Sequence, residues 1–346
     1  MADLTFRCAH CGQEAPADPK TWRCACGGPL ELAAGSVYRP AEPLSLGEGH
    51  TPLVAAALDG RQVHLKCDHL NPTGSYKDRG AAPLVSWLRE RGVRSAAEDS
   101  SGNAAGALAG YGAAAGIEVN IFTPASSSPG KLAQMQAYGA KVTRVPGPRV
   151  RSFEAVLEAL GRGMVYASHC WNPIFLQGLE SGATEIAQQL GRAPDWLFAP
   201  CGFGTLYLGL ARGFLKLAES GKVPRAPRVV GVQAERCAPV AVAFAAGAAE
   251  ARPLGSPGET CAEGIAASAP VRSRAILAEC RRCDGRIIAV GEEAILGAWR
   301  DLARAGFYVE KTSAAVLAGM RQMSGEIGAR DSVALYLTGN GLKAGG

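Results

Sequence analysis

From residue 34 onward, short β-branched runs alternate with longer amphipathic stretches, and that alternation narrows the fold more than any other feature. Strand-like runs fall at 63–66, 119–123, 142–145, 164–167, 196–199, 229–232, 287–290 and 333–337. Helical patterns occupy 131–138, 152–160, 180–190 and 209–219 between them. Parallel strands cannot be joined by a tight hairpin, so helices that cross from one strand to the next give mainly parallel α/β sheets covered on both faces. The 44 glycines have no fixed period and lie between apolar runs, as many tight turns require.

Residues 1–33 have a different texture, being short, polar and dense in cysteine. A proline-containing connector at 38–43 marks the boundary. Within this segment Cys8-x2-Cys11 and Cys24-x-Cys26 put four thiolates on two turns, the ligand set of a closed tetrahedral zinc site, although the second pair is one residue tighter than usual. A zinc there is expected to be structural. Cys280-x2-Cys283 reads instead as two unpaired thiols at a helix end. The chain lacks the basic start and apolar core of an export signal, so its 11 cysteines read as reduced thiols or metal ligands and the expected location is the cytoplasm. The net charge of +5 is dispersed, with no basic block interleaved with aromatics, which argues against a nucleic-acid partner. No apolar run is long enough to span a bilayer, and no membrane partner is expected.

Three loops carry chemistry. In NPTGSYKDRG (71–80), Pro72 and Gly74 make a turn and an apolar-periodic stretch follows, so Lys77 falls in the first turn of a helix at the carboxyl edge of a strand. The positive helix end disfavours the ammonium form there and leaves a more nucleophilic amine. Pro83 is expected to kink or delay this helix. Ser100, Ser101, Gly102 and Asn103 precede the helical run 104–115, and amides and hydroxyls at a helix start suit a carboxylate as well as they suit simple capping. Cys201, Gly202, Phe203, Gly204 and Thr205 join an apolar strand to the helix beginning near Leu206, where backbone amides can close around a phosphate.

Together these motifs resemble the fold type II pyridoxal-phosphate (PLP) enzymes, which are tryptophan synthase β-like, and within them the threonine synthase family. NPTGSYKDRG, the upstream GEGHTPL (47–53), SSGN (100–103) and LTGNGLK (337–343) occur in that family's order, so the resemblance spans most of the chain. It implies two doubly wound parallel-sheet domains with a small zinc-ribbon-like appendage: 1–33 as the ribbon, 34–80 with 176–346 as the large PLP-binding domain, and 81–175 as the small one. It also implies roles. Lys77 holds PLP as a Schiff base and acts as the base at the substrate α-carbon. Asn103 bonds the phenolic oxygen, Gly202, Phe203, Gly204, Thr205 and Leu206 hold the phosphate, and Thr338 meets the ring nitrogen. Ser100, Ser101 and Gly102 take the carboxylate of an amino-acid substrate. A homodimer is expected.

The resemblance implies a lyase that converts O-phosphohomoserine to threonine and phosphate. Alternatives are β-elimination or β-replacement on another amino acid, of the dehydratase or cysteate synthase kind, and a PLP-binding paralogue without turnover, against which the intact Lys77, Asn103 and Thr338 argue. The segment NPIFLQGLES (172–181) departs from the pattern. After Asn172 and Pro173, Phe175 stands where the family has an arginine and Glu180 where it has a lysine, so a substrate phosphate would meet a ring and a carboxylate. Arg149 or Arg151 are the cations that could replace those lost. Phe203 and Thr205 in the glycine loop, and Lys311 in VEKTSA (309–314), also depart from the family.

Overall fold

The computed structural model describes residues 4–127, 129–147, 149–255 and 257–343. Contacts divide the chain into two compact units, one of 1–48, 77–178 and 343–346, the other of 49–76 and 179–342. The first unit therefore includes, beside the ribbon, residues 34–48, 77–80 and 176–178, which the sequence reading groups with the large domain. The reason is local. The Tyr38 hydroxyl donates to Glu90 at 2.8 Å, the Ala41 amide donates to the same carboxylate at 2.7 Å, and the Leu44 amide donates to Ser86 at 2.9 Å.

The first unit holds a four-stranded parallel sheet ordered Lys141–Val145, Glu118–Pro124, Ser95–Glu98, Val165–Tyr166. Helices Asp78–Glu90, Asn103–Ala115, Pro129–Ala137, Arg149–Leu160 and Pro173–Gly178 accompany it. The alanine- and glycine-rich helix Asn103–Ala115 lies close to the sheet, and a Cβ at Gly112 would come within 2.3 Å of Val119. Cys8 ends the middle strand of a three-stranded antiparallel sheet, Glu14–Pro16, Thr5–Cys8 and Leu30–Leu32, while Cys11, Cys24 and Cys26 lie outside its strands.

Pro83 sits inside the helix Asp78–Glu90 and does not delay it, which corrects the sequence expectation. The proline leaves the Arg79 carbonyl without its usual partner four residues on. Gly178 packs flush against that carbonyl, and a Cβ at Gly178 would be 2.1 Å from the Arg79 oxygen. The helix is tolerated because a second backbone covers the gap, and only glycine fits there.

The second unit is a six-stranded sheet ordered Arg286–Val290, Arg228–Ala234, Trp196–Pro200, Val333–Leu337, Arg61–Cys67, Leu53–Leu58. All neighbours are parallel except the last pair, a hairpin that adds an antiparallel edge. Alternate residues of the central strands face opposite ways, as a sheet buried on both sides demands. Trp196, Phe198, Val333, Leu335 and Leu337 join a core with helices Glu292–Arg304 and Lys311–Gln322. Leu197, Ala199, Ala334 and Tyr336 join another with Ser181–Leu190 and Thr205–Glu219. The doubly wound reading is therefore correct for this unit. The alternation missed the alanine-rich edge Leu53–Leu58. The structure also reduces 164–167 to a two-residue strand and starts the helix of 209–219 one turn earlier.

Candidate functional site

In the first unit, Lys77 is the residue before helix Asp78–Glu90, in helical conformation, and its carbonyl accepts the amides of Gly80 and Ala81. Its side chain is 8% exposed, so the amine is not the solvated surface lysine that a single Lys would suggest. Its ammonium nitrogen lies 5.6 Å from the centre of the Phe175 ring. That ring also lies flat on Gly80, where a Cβ would come within 2.6 Å of it. Phe175 is thus buried beside Lys77 at the position where the family pattern has a cation.

A cluster the sequence did not reveal stands behind Phe175. Glu98, the last residue of its strand, holds His169 twice, through Nδ1 at 2.8 Å and through the backbone amide at 3.3 Å. The other ring nitrogen of His169 faces Cys170 Sγ at 3.1 Å, and the ring lies 6.0 Å from that of Phe175. All four side chains are buried. Burial, then the charge of Asp99, pushes the Glu98 carboxyl well up, against the pull of Lys77, the His169 amide and Arg149. Burial, then Lys77 and Arg149, holds His169 well below the usual imidazole range. Burial thus disfavours the charged form of both groups, which share one hydrogen bond in the wall beside Lys77. The charge of Arg149 reaches Glu98, His169 and Cys170, which puts this cation close to the cluster.

The remaining predicted residues of this unit are placed as follows. Gly102 precedes helix Asn103–Ala115, and its amide donates to Ser100 Oγ at 3.3 Å. Ser100 is buried, while Ser101, Gly102 and Asn103 are half-buried, so this loop offers polar groups without full solvent exposure. Asn172 caps helix Pro173–Gly178 by accepting the amides of Ile174 at 2.9 Å and Phe175 at 3.4 Å. Its side chain thereby aims Phe175. Glu180 belongs to the second unit, where Lys216 binds both its carboxylate oxygens at 2.7 Å. The expectation that Glu180 repels an anionic substrate is thereby corrected, because its charge is matched by Lys216.

In the second unit, Gly204 has φ +81° and precedes the 15-residue helix Thr205–Glu219, which has no side-chain cap. The first-turn amides of an uncapped helix are an anion site. Glycine is required on steric grounds at both loop positions. A Cβ at Gly202 would come within 2.9 Å of the Gly264 carbonyl, and one at Gly204 within 2.1 Å of Ile276. Thr205 and Leu206 are buried, and the Leu206 side chain serves the apolar core, so only its backbone is available to a ligand.

Thr338 has a partner that sequence reasoning missed. Ser313 Oγ accepts the amides of Thr338 at 2.9 Å and Gly339 at 3.1 Å, and lies 2.9 Å from Thr338 Oγ1. A serine oxygen has two lone pairs, and both are taken by the amides. The Ser313 hydroxyl proton has two acceptors within reach, Thr338 Oγ1 at 2.9 Å and the Gly339 carbonyl at 3.5 Å. When it goes to Oγ1, the Thr338 hydroxyl proton is left to donate elsewhere. Ser313 carries no sequence signal beyond belonging to VEKTSA, where a small residue in a helix start is unremarked.

In the ribbon, the ligand atoms of Cys8, Cys11, Cys24 and Cys26 all lie within 4.8 Å of one another. Burial alone would push the Cys8 thiol up, yet the amides of Cys11 and His10 bring it down to about 6. Amides aimed at sulfur are the surroundings a metal-bound thiolate needs, so the tight Cys24-x-Cys26 pair still completes a four-sulfur set.

A family model described as pyridoxal-phosphate dependent enzyme matches residues 44–339. The chain belongs to that family. Within it the chain is threonine synthase-like: it is 33% identical to the threonine synthase of Methanosarcina acetivorans over 98% of this chain and 92% of that protein. The threonine synthase of Synechocystis is 34% identical over 95% of this chain and 86% of that protein. Among solved structures, the T.th. threonine deaminase is similar with TM-score 0.73 and 30% identity, covering 84% of this chain and 92% of that one. Maize serine racemase, at TM-score 0.74 and 22% identity over 84% of this chain and 88% of that one, shares the fold. PLP is the cofactor of this family, and the residues present fit it: a lysine amine kept from solvent, an uncapped helix start with two obligatory glycines, and a buried threonine hydroxyl beside Ser313. Among the described residues no helix is long and apolar enough to cross a membrane.

Proposed function

We propose that this PLP-dependent, threonine synthase-like lyase uses Lys77 to anchor the cofactor and to carry the α-proton of an amino-acid substrate. The buried Lys77 amine beside Phe175 is the observation that carries the reading. When bound, PLP supplies an electron sink at the α-carbon, so that a proton can leave there and a substituent can depart further along the side chain. Asn103 bonds the phenolic oxygen, and the amides of Gly202, Phe203, Gly204, Thr205 and Leu206 hold the phosphate. Thr338 donates to the ring nitrogen, and a hydroxyl that donates cannot also protonate it. That milder sink favours elimination and replacement over transamination. Ser100, Ser101 and Gly102 hold the substrate carboxylate, while Asn172 positions Phe175 against the substrate side chain. The ribbon cysteines hold a structural zinc. The working form is a cytoplasmic homodimer.

The side chain accepted is in our reading unphosphorylated, because Phe175 stands where the family pattern has an arginine and burial disfavours a charged His169 beside it. A bidentate arginine contact is worth about 2–4 kcal/mol, or roughly thirtyfold to several-hundredfold in use of a phosphorylated substrate. A second reading, O-phosphohomoserine to threonine, is favoured by the charge of Arg149 reaching the same cluster. Borohydride reduction of the purified yellow protein followed by peptide mapping tests the anchor; cofactor on another lysine, or on none, sinks the proposal. Turnover of O-phosphohomoserine, phosphoserine, threonine and serine then separates the two readings. Good use of O-phosphohomoserine that Arg149→Ala abolishes and Phe175→Ala spares establishes the second.

A further inference from the structure

The ribbon does more than enclose its own small core. Its largest side chain, Trp22, is two residues ahead of Cys24 and points away from the cysteines into a cluster on the parallel sheet of the same unit. The indole meets three rings edge-on: Trp171 at 4.9 Å and 90°, Tyr166 at 5.3 Å and 84°, and Phe153 at 6.0 Å and 82°. The Arg23 guanidinium lies over its ring at 4.4 Å. Tyr166 in turn donates its hydroxyl to Asp99 at 2.6 Å, immediately before the Ser100–Asn103 loop. Trp171 joins Cys170 to Asn172, the residue that caps the Phe175 helix. Trp22 thus rests on Tyr166, which bonds the residue before one substrate loop, and on Trp171, which precedes Asn172 in the other.

What holds Trp22 in place is the second cysteine turn. The Cys24 amide donates to Gly28 and the Gly27 amide to Cys24, while upstream the Thr21 and Lys20 amides both donate to Asp18. Cys24 Sγ lies 3.6 Å from Cys11 Sγ, and Cys26 Sγ lies 3.5 Å from Cys8 Sγ, so a single ion ties this turn to the first one.

We propose that the ribbon is a positioning element for substrate binding. A metal on Cys8, Cys11, Cys24 and Cys26 holds Trp22 against Tyr166 and Trp171, and this sets the loops of Asp99–Asn103 and Ser168–Phe175. Trp22 is the positioning residue; it touches neither cofactor nor substrate. The inference rests on the zinc and the substrate loops proposed above, and it separates from them experimentally. The PLP-loaded protein is compared by hydrogen exchange as wild type, after chelation of its metal, and as Trp22→Ala and Trp22→Phe. Metal content and the PLP absorbance band are measured on each.

Trp22→Ala is expected to keep its metal and its PLP band, yet to exchange at least about tenfold faster in peptides covering 97–103 and 165–176. For whichever of O-phosphohomoserine, phosphoserine, threonine and serine the wild type uses best, KM rises about three- to tenfold while kcat changes by less than about twofold. Trp22→Phe, which keeps a ring in the cluster, restores both readouts. Chelation reproduces the exchange pattern of Trp22→Ala. Faster exchange confined to residues 5–33, or an unchanged KM, overturns the positioning role. Fast exchange in Trp22→Ala that chelation does not reproduce overturns the part played by the metal. A wild type without metal defeats the zinc assignment alone, and the Trp22 comparison still stands.

Discussion

The molecule buries two polar clusters of opposite character. Ser313 and Thr338 do not ionise in the range of protein stability, and Ser313 Oγ accepts two backbone amides that fix its place beside Thr338 Oγ1. Glu98, His169 and Cys170 all can ionise, and burial drives each toward its uncharged form. The first cluster is oriented by geometry and indifferent to pH. The second depends on retaining a proton that solvent competes for. A buried hydroxyl pair offers direction at a fixed cost, whereas a buried acid and base offer neutrality over a limited range of pH.

Ser313→Ala is the harshest way to break this contrast. It leaves two buried amides without an acceptor, each costing about 1–3 kcal/mol. The expected loss is several kcal/mol in denaturant unfolding, the same at pH 6 and pH 8. A loss below about 0.5 kcal/mol would mean that the amides find another acceptor.

Thr338→Ala keeps those amides paired to Ser313 and removes only the donor. Cofactor should still be trapped by borohydride, while kcat falls roughly ten- to a hundredfold, the worth of one hydrogen bond to the ring. Unchanged turnover would remove Thr338 from the site.

Glu98→Gln probes the ionisable cluster, since a glutamine amide can still donate to His169 Nδ1. The folded Glu98 carboxyl titrates above its unfolded value, so the wild type loses stability as pH rises from about 4.3 toward the folded pKa. Glutamine has no such loss. The variant should therefore gain on the wild type by a few degrees in melting temperature as pH increases through this window, and match it near pH 4. His169 titrates below its unfolded value, so both proteins lose stability as pH falls below about 6.5. A difference that shrinks with rising pH would show that Glu98 is ionised in the fold.

Cys170→Ser should have the smallest effect. It exchanges a weak sulfur contact to His169 for a hydroxyl of similar volume, and a change within about 1 kcal/mol is expected. A larger loss would make the thiol an essential member of the cluster.

What could be read in advance follows the same division. Strands buried on both faces announce themselves through unbroken apolar runs, and the Lys77 motif through a turn that only Pro and Gly make. Glu98 closes the strand SAAE and resembles any charged strand end; only the fold brings His169 from 71 residues away to share its proton. Ser313 is one small residue among several in a helix start, and its meaning lies 25 residues on. Glu180 shows the reverse error, since its place in a motif suggested a neighbour whereas Lys216, on another helix, supplies one. Pro83 misled because the residue that excuses it, Gly178, is distant in sequence. Local rules were sufficient wherever the backbone itself was the partner.

The ribbon also bears on the order in which the protein is made. Its four sulfurs span only residues 8 to 26, so it can close on a metal soon after those residues leave the ribosome. Its resting places on the body, Trp87 against Phe6 and Tyr166 and Trp171 against Trp22, come far later in the chain. At about 5–20 residues per second, the stretch from Cys26 to Trp171 takes roughly seven to thirty seconds to appear. For that interval Trp22 lacks the rings of Tyr166 and Trp171, whereas Phe6 waits only for Trp87. The last of the ribbon's ring contacts with this unit therefore forms only once Trp171 has been made.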